Sequence, residues 1–128
     1  MNYKLEICAD SVESAINAQK GGATRILTSG QKDTVPQGAE LISTLVKQAG
    51  ARITVMPGSG LDESNIAEMA RVTGAREFHL TGRKNVESMM KFRREGIPMG
   101  GIPDIPEFSR KVADPERIRK IIHILNSL

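Results

Sequence analysis

An α/β protein of four parallel βα units followed by a C-terminal helix is the fold this sequence predicts, and three observations predict it. A Gly-Ala pair, a strand-like run and a glycine-bearing turn recur as Gly22-Ala23 to Gly30, Gly50-Ala51 to Gly58 and Gly74-Ala75 to Gly82. The copies start 28 and 24 residues apart, the length that a strand and its crossover helix need, so parallel strands are expected rather than hairpins. The end of the chain, Asp114-Pro115-Glu116 and then Ile118, Ile121, Ile122 and Leu125, carries an N-cap, a first-turn proline and an apolar stripe of helical period.

Each element follows from local signals. The first strand is expected over Tyr3 to Ala9, where Asp10-Ser11 supplies a helix cap, and Val12, Ala15 and Ile16 mark a helix stopped by Gly21-Gly22. The second strand, Arg25 to Ser29, leads through Gly30 and a polar loop with Pro36 into a helix bearing Leu41, Ile42, Leu45 and Val46, which Gly50 closes. A third strand, Arg52 to Met56, ends at Pro57-Gly58-Ser59-Gly60. Asp62 is the expected cap of the next helix, whose stripe is Ile66, Met69 and Ala70 and which Gly74 ends. The fourth strand is expected over Arg76 to Leu80. Residues 82–113 then read as a long loop rich in Gly and Pro, including Gly96, Pro98, Gly100, Gly101, Pro103 and Pro106, of the kind that covers a site or stays disordered.

Composition narrows the class. The chain has 128 residues, 39% of them hydrophobic, with no apolar run near the length of a membrane span, which fits a single domain, 1–128, with a modest core and no membrane partner. The opening residues lack the apolar stretch of a secretory signal, and Cys8 is the sole cysteine, so a reducing, cytoplasmic setting is expected. Eighteen basic residues against fifteen acidic ones leave a net charge of +3. The basic clusters, Lys91, Arg93, Arg94 and then Arg117, Arg119, Lys120, have only Phe92 among them, so they read as solvated faces rather than a nucleic-acid surface.

Strand alternation separates two faces. Leu5 and Ile7, Ile53 and Val55, and Phe78 and Leu80 are expected to pack on the helices. The opposite set, Glu6 and Cys8, Thr54 and Met56, and Glu77, His79 and Thr81, is polar or sulfur-bearing, as the wall of a site would be. Taken singly, each has a plainer role: Cys8 a small buried residue, His79 a hydrogen-bonded interior histidine, Met56 core filler, and Glu6 and Glu77 partners of Arg25, Arg76 or Arg83.

Together they suggest two chemistries. Cys8, Met56 and His79 offer thiolate, thioether and imidazole near the ends of three strands, the donors that a soft ion such as Cu(I) prefers. Alternatively, the turns containing Ser29 and Gly30, then Gly58, Ser59 and Gly60, and finally Arg83 gather backbone amides at helix starts, suited to a phosphate or carboxylate. Glu6, Glu77 and His79 would then be the acid and base candidates for a small phosphorylated or carbonyl substrate.

The run Leu5-Glu6-Ile7-Cys8-Ala9-Asp10-Ser11-Val12-Glu13-Ser14-Ala15, the strand Arg25-Ile26-Leu27-Thr28-Ser29-Gly30, the turn Val55-Met56-Pro57-Gly58-Ser59-Gly60, and Glu77-Phe78-His79 resemble the CutC family. Met90-Lys91-Phe92-Arg93 and Arg110-Lys111-Val112-Ala113-Asp114 extend the resemblance over nearly the whole chain. It implies a cytoplasmic (β/α)8 barrel, a role in copper homeostasis and Cu(I) binding as the proposed activity. The family pattern continues after its first Gly-Ala with an Arg-Ile-Glu-Leu-Cys type strand and several further βα units, whereas here Gly22-Ala23-Thr24 runs directly into a strand that resembles a much later one. An internal deletion is therefore expected, and with it the loss of the second family cysteine. Four units cannot close a barrel of about eight strands. The expectation is a partial, half TIM-type barrel with strand order 1-2-3-4, paired with a second copy so that the polar faces meet. A flavodoxin-like sheet, an enzyme remnant and a non-catalytic interaction module are the alternatives.

Overall fold

A computed structural model describes residues 3–87 and 109–128. Elements run in the order β1 (Glu6–Cys8), α1 (Val12–Lys20), β2 (Arg25–Thr28), α2 (Val35–Ala49), β3 (Thr54–Pro57), α3 (Ile66–Thr73), β4 (Arg83–Glu87), β5 (Ser109–Ala113) and α4 (Pro115–Asn126). β1, β2 and β3 form a parallel sheet in that order, with Glu6, Arg25 and Thr54 on one rung and Cys8, Leu27 and Met56 on another.

The helices begin and end where local chemistry directs. The Ser11 hydroxyl accepts the Ser14 amide at the head of α1, and the Asp114 carboxylate accepts the Glu116 amide at the head of α4. Pro36 occupies the first turn of α2, and Gly74 closes α3 in the left-handed conformation. Asp62 does not cap α3. Its carboxylate instead accepts the Ser64 amide at 2.8 Å within a preceding turn, and Asn65 holds the cap position.

The core lies between the sheet and one helical layer. Val35, Ala39 and Ile42 of α2 pack with Val55 of β3, Ile66 and Met69 of α3, Leu61 and Ile121 of α4, and Phe78 and Leu80 join from the side. Ile42 and Ile66 are fully buried, each contributing roughly 2 kcal/mol by removal from water. A second cluster joins Ala9, Ala23, Ile26 and Ile53 to Ile7, Ala15 and Ala18. This is the alternation expected of the strands, although Leu5, just outside β1, is exposed. α1 buries no residue completely, and its Val12 and Ile16 are largely exposed.

Two expectations are corrected. Residues 76–80 do not form a fourth strand of the sheet; their backbone link to it is one bridge, His79 to Gly58, with the His79 amide donating to the Pro57 carbonyl at 2.9 Å. β3 ends at Pro57, which has no amide hydrogen to extend the ladder. Phe78 and Leu80 still pack on the core, so the segment is docked by its side chains rather than by backbone pairing. The ends of the segment read as a loop are strands: β4 and β5 pair antiparallel, Arg83 opposite Ala113 and Asn85 opposite Lys111. The expected glycine- and proline-rich stretch between them, with the Met90-Lys91-Phe92-Arg93 motif, lies outside the described residues. Four complete parallel βα units are thus not present; the described architecture is an α/β parallel sheet of three strands, four helices and a separate two-stranded ribbon.

Candidate functional site

Parallel strands deliver all their carboxyl ends to one side, and there the molecule opens into a cleft of about 790 Å³. β1 contributes Cys8 and the turn after it Asp10, β2 contributes Thr28 and the turn after it Ser29 and Lys32, the turn after β3 contributes Gly58, Ser59 and Gly60, and His79 to Thr81 are also among the lining residues. The turns are tied to one another. The Ser59 hydroxyl donates to the Asp33 carbonyl at 2.7 Å while its own carbonyl accepts the Val35 amide at 3.0 Å, which holds Ser59 at φ 102°, a conformation that few side-chain-bearing residues adopt. At Gly58 a Cβ would lie 2.5 Å from the Leu27 side chain and 3.1 Å from the His79 Cβ, so the β3 turn approaches its neighbours only because that position has no side chain.

The residues singled out from sequence divide into groups. Cys8 and His79 are both exposed and border the cleft, but from opposite margins: three inter-strand steps separate them, roughly 14 Å along the sheet. Met56 is buried on β3 and is not among the lining residues. Ser29, Gly58, Ser59 and Gly60 line the cleft, whereas Gly30 is packed against Gly38 of α2 and faces away from it. Arg83 stands in an adjoining recess. Among the described residues no three His, Cys, Asp or Glu side chains converge on one ion-sized point.

Glu6 and Glu77 sit nearer the amino ends of the strands, around Arg25. The Arg25 guanidinium donates through Nε and Nη2 to the Glu77 carboxylate, the Nη2 bond measuring 2.8 Å. This hydrogen bonding, with the charges of Glu77 and Glu6, holds Arg25 above its ordinary pKa against partial desolvation. Glu77 is therefore engaged structurally and, like Glu6, does not line the cleft. Asp10, Lys32 and Asp33 also line the cleft, although residue type and spacing marked none of them as a site residue. Lys32 and Asp33 lie in the polar loop after β2, on the carboxyl side of the sheet that the fold rule singles out.

A second ion pair fixes the C-terminal helix beside the cleft. Arg117 of α4 donates from Nε at 2.6 Å and Nη2 at 2.7 Å to the two oxygens of Glu63, and from Nη1 to the Arg83 carbonyl. Arg117, with the backbone amide of Glu63 itself, holds the Glu63 carboxyl down to about 2.

Residues 22–84 match the model of the CutC family. A CutC family protein of Bacteroides thetaiotaomicron is 38% identical over 96% of this chain and 49% of its own length. The chain belongs to the CutC family. A human relative, named copper homeostasis protein cutC homolog, is 37% identical over 84% of this chain and 39% of its own length. Among solved structures, a CutC protein from Streptococcus agalactiae superposes with a TM-score of 0.54 at 25% identity, covering 61% of this chain and 42% of that one. This CutC chain spans about half the length of the curated relatives it matches. Among the described residues no helix is long and apolar enough to cross a membrane.

Proposed function

We propose that this chain serves copper homeostasis in the cytoplasm by taking up Cu(I) as cargo at the cleft, with the Cys8 thiolate as the donor and the His79 imidazole too far across the cleft to bind the same ion within one chain. The observation that carries the reading is the position of the sole thiol: Cys8 is exposed at the carboxyl end of β1, on the border of the cleft, where a soft ion can reach it. The copper homeostasis names of relatives support the same role. With one thiolate and a distant imidazole per chain, binding is weak, and two copies apposed through the open sheet face would offer two thiolates to one ion. In this reading the three-stranded sheet is part of a TIM-type barrel that an internal deletion has shortened.

Anaerobic Cu(I) titration against a chromophoric chelator tests the assignment. Wild-type protein is expected to withdraw Cu(I) and Cys8→Ser to lose that capacity; unchanged stoichiometry in Cys8→Ser overturns it. Light scattering during the titration reads the pairing, which a persistently monomeric, metal-loaded chain overturns.

A second reading is supported by the polarity of the cleft. Thr28, Ser29, Lys32 and Ser59 bring hydroxyls and a cation to a space of small-molecule size, as a barrel-derived enzyme acting on a small phosphorylated or carbonyl compound would need.

A further inference from the structure

Beside the cleft lies a second concavity of about 390 Å³, which shares Leu61 and Thr81 with it and is otherwise lined by β4, β5 and α4. Its charged lining residues are all cations: Arg83, Lys84, Lys111 and Arg117. Two of these are already neutralised. Arg117 is held by Glu63 and the Arg83 carbonyl, and Lys84 pairs with Asp114 at 3.6 Å. Both acids thereby fasten α4 and the ribbon around the recess without lining it.

Arg83 and Lys111 are different. The ribbon pairs Asn85 with Lys111 and Arg83 with Ala113, so alternation puts Arg83, Asn85 and Lys111 on one face, with the backbone positions of Arg83 and Lys111 on a diagonal roughly 7–8 Å apart. Among the described residues neither side chain has an acidic partner. Two like charges on one ribbon face repel, and an anion between them replaces that repulsion with charge-assisted hydrogen bonds. Asn85 adds an amide donor between them, and the exposed Thr81 adds a hydroxyl where the recess meets the cleft.

We propose that this recess is an oxyanion site for a phosphate monoester, with Arg83 and Lys111 holding the phosphate and the organic portion extending past Thr81 into the cleft. The proposal deepens the small-phosphorylated-compound reading by placing the anion on the ribbon rather than on the strand-end turns. It is independent of Cys8.

Isothermal titration with inorganic phosphate and with glycerol phosphate at constant ionic strength tests it, using wild type, Arg83→Ala, Lys111→Ala, Lys32→Ala and Cys8→Ser. Each ribbon substitution removes an exposed side chain with no packing role and is expected to weaken phosphate binding about tenfold. Lys32→Ala and Cys8→Ser should leave inorganic phosphate binding unchanged. Glycerol phosphate should bind more tightly than phosphate, and glycerol should not compete. Loss of binding in Lys32→Ala with retention in Arg83→Ala and Lys111→Ala overturns the recess while leaving the cleft reading intact. Absence of saturable binding to wild type also overturns the recess, and neutral carbonyl ligands then test the cleft separately.

Discussion

Arg25 on β2 and Glu77 in the segment beyond α3 are joined by two parallel hydrogen bonds across 52 positions of sequence. The pair links the sheet to a segment that backbone pairing holds at only one point, His79 to Gly58. A side-chain clasp thus does part of the work that a strand ladder would otherwise do.

Arg25→Met and Glu77→Gln should therefore each lower the melting temperature by roughly 2–5 °C for a chain of this size. Because both remove the same contact, the double variant should melt no lower than the worse single one. Additive losses in calorimetry would show that the two side chains act separately.

The Glu63–Arg117 pair makes stability depend on acid. Glu63 titrates near 2 in the folded chain against an ordinary value of 4.5, so its contribution is complete above about pH 4.5 and fades as pH falls toward 2. Wild type should be more stable than Glu63→Gln at neutral pH, with the gap narrowing only below pH 4.5. Denaturant midpoints measured between pH 2 and pH 7 check this, and a gap that stays constant with pH contradicts it.

Gly30 combines a φ of 74° with a neighbour that cannot yield: an added Cβ would lie 2.3 Å from the Gly38 carbonyl oxygen. Gly22, at φ 91°, has open space around the same position. Gly22→Ala should cost about 1 kcal/mol from backbone conformation alone, and Gly30→Ala more than about 3 kcal/mol because α2 must also shift. Urea denaturation of the two variants gives the comparison.

Core and surface isoleucines should separate just as clearly. Ile42→Ala is expected to destabilise by about 2–5 kcal/mol, since the side chain is fully buried between α2 and β3. Ile122→Ala, at a position 52% exposed on α4, should stay within about 0.5 kcal/mol of wild type in the same assay.

The contrast between Ile42 and Ile122 also explains what could be read in advance. α2 and α4 were legible because their caps, prolines and apolar stripes agree with one another, β2 and β3 because each precedes a glycine turn, and β1 because the Asp10-Ser11 helix cap follows it. Residues 76–80 carry the same alternation, but a strand also needs a partner with free backbone groups, and Pro57 at the end of β3 withholds one. The ribbon was hidden for a different reason. Its strands, Arg-Lys-Asn-Val-Glu and Ser-Arg-Lys-Val-Ala, are too polar to mark a buried face, and no tight-turn signal joins them. In the site, periodicity placed Cys8 and His79 on the accessible face. It could not show that Met56 is buried, that Glu77 is committed to Arg25, or that Lys111 lies beside Arg83, because those follow from contacts distant in sequence.

The bare backbone at Gly58 has a consequence for ligand choice. Since Leu27 and His79 converge on the missing methyl position, the smallest possible enlargement there would push both aside and alter the shape of the cleft floor, while every donor atom around it kept its chemical identity. The outline of the cleft can therefore be changed at a position that contributes no side-chain donor of its own.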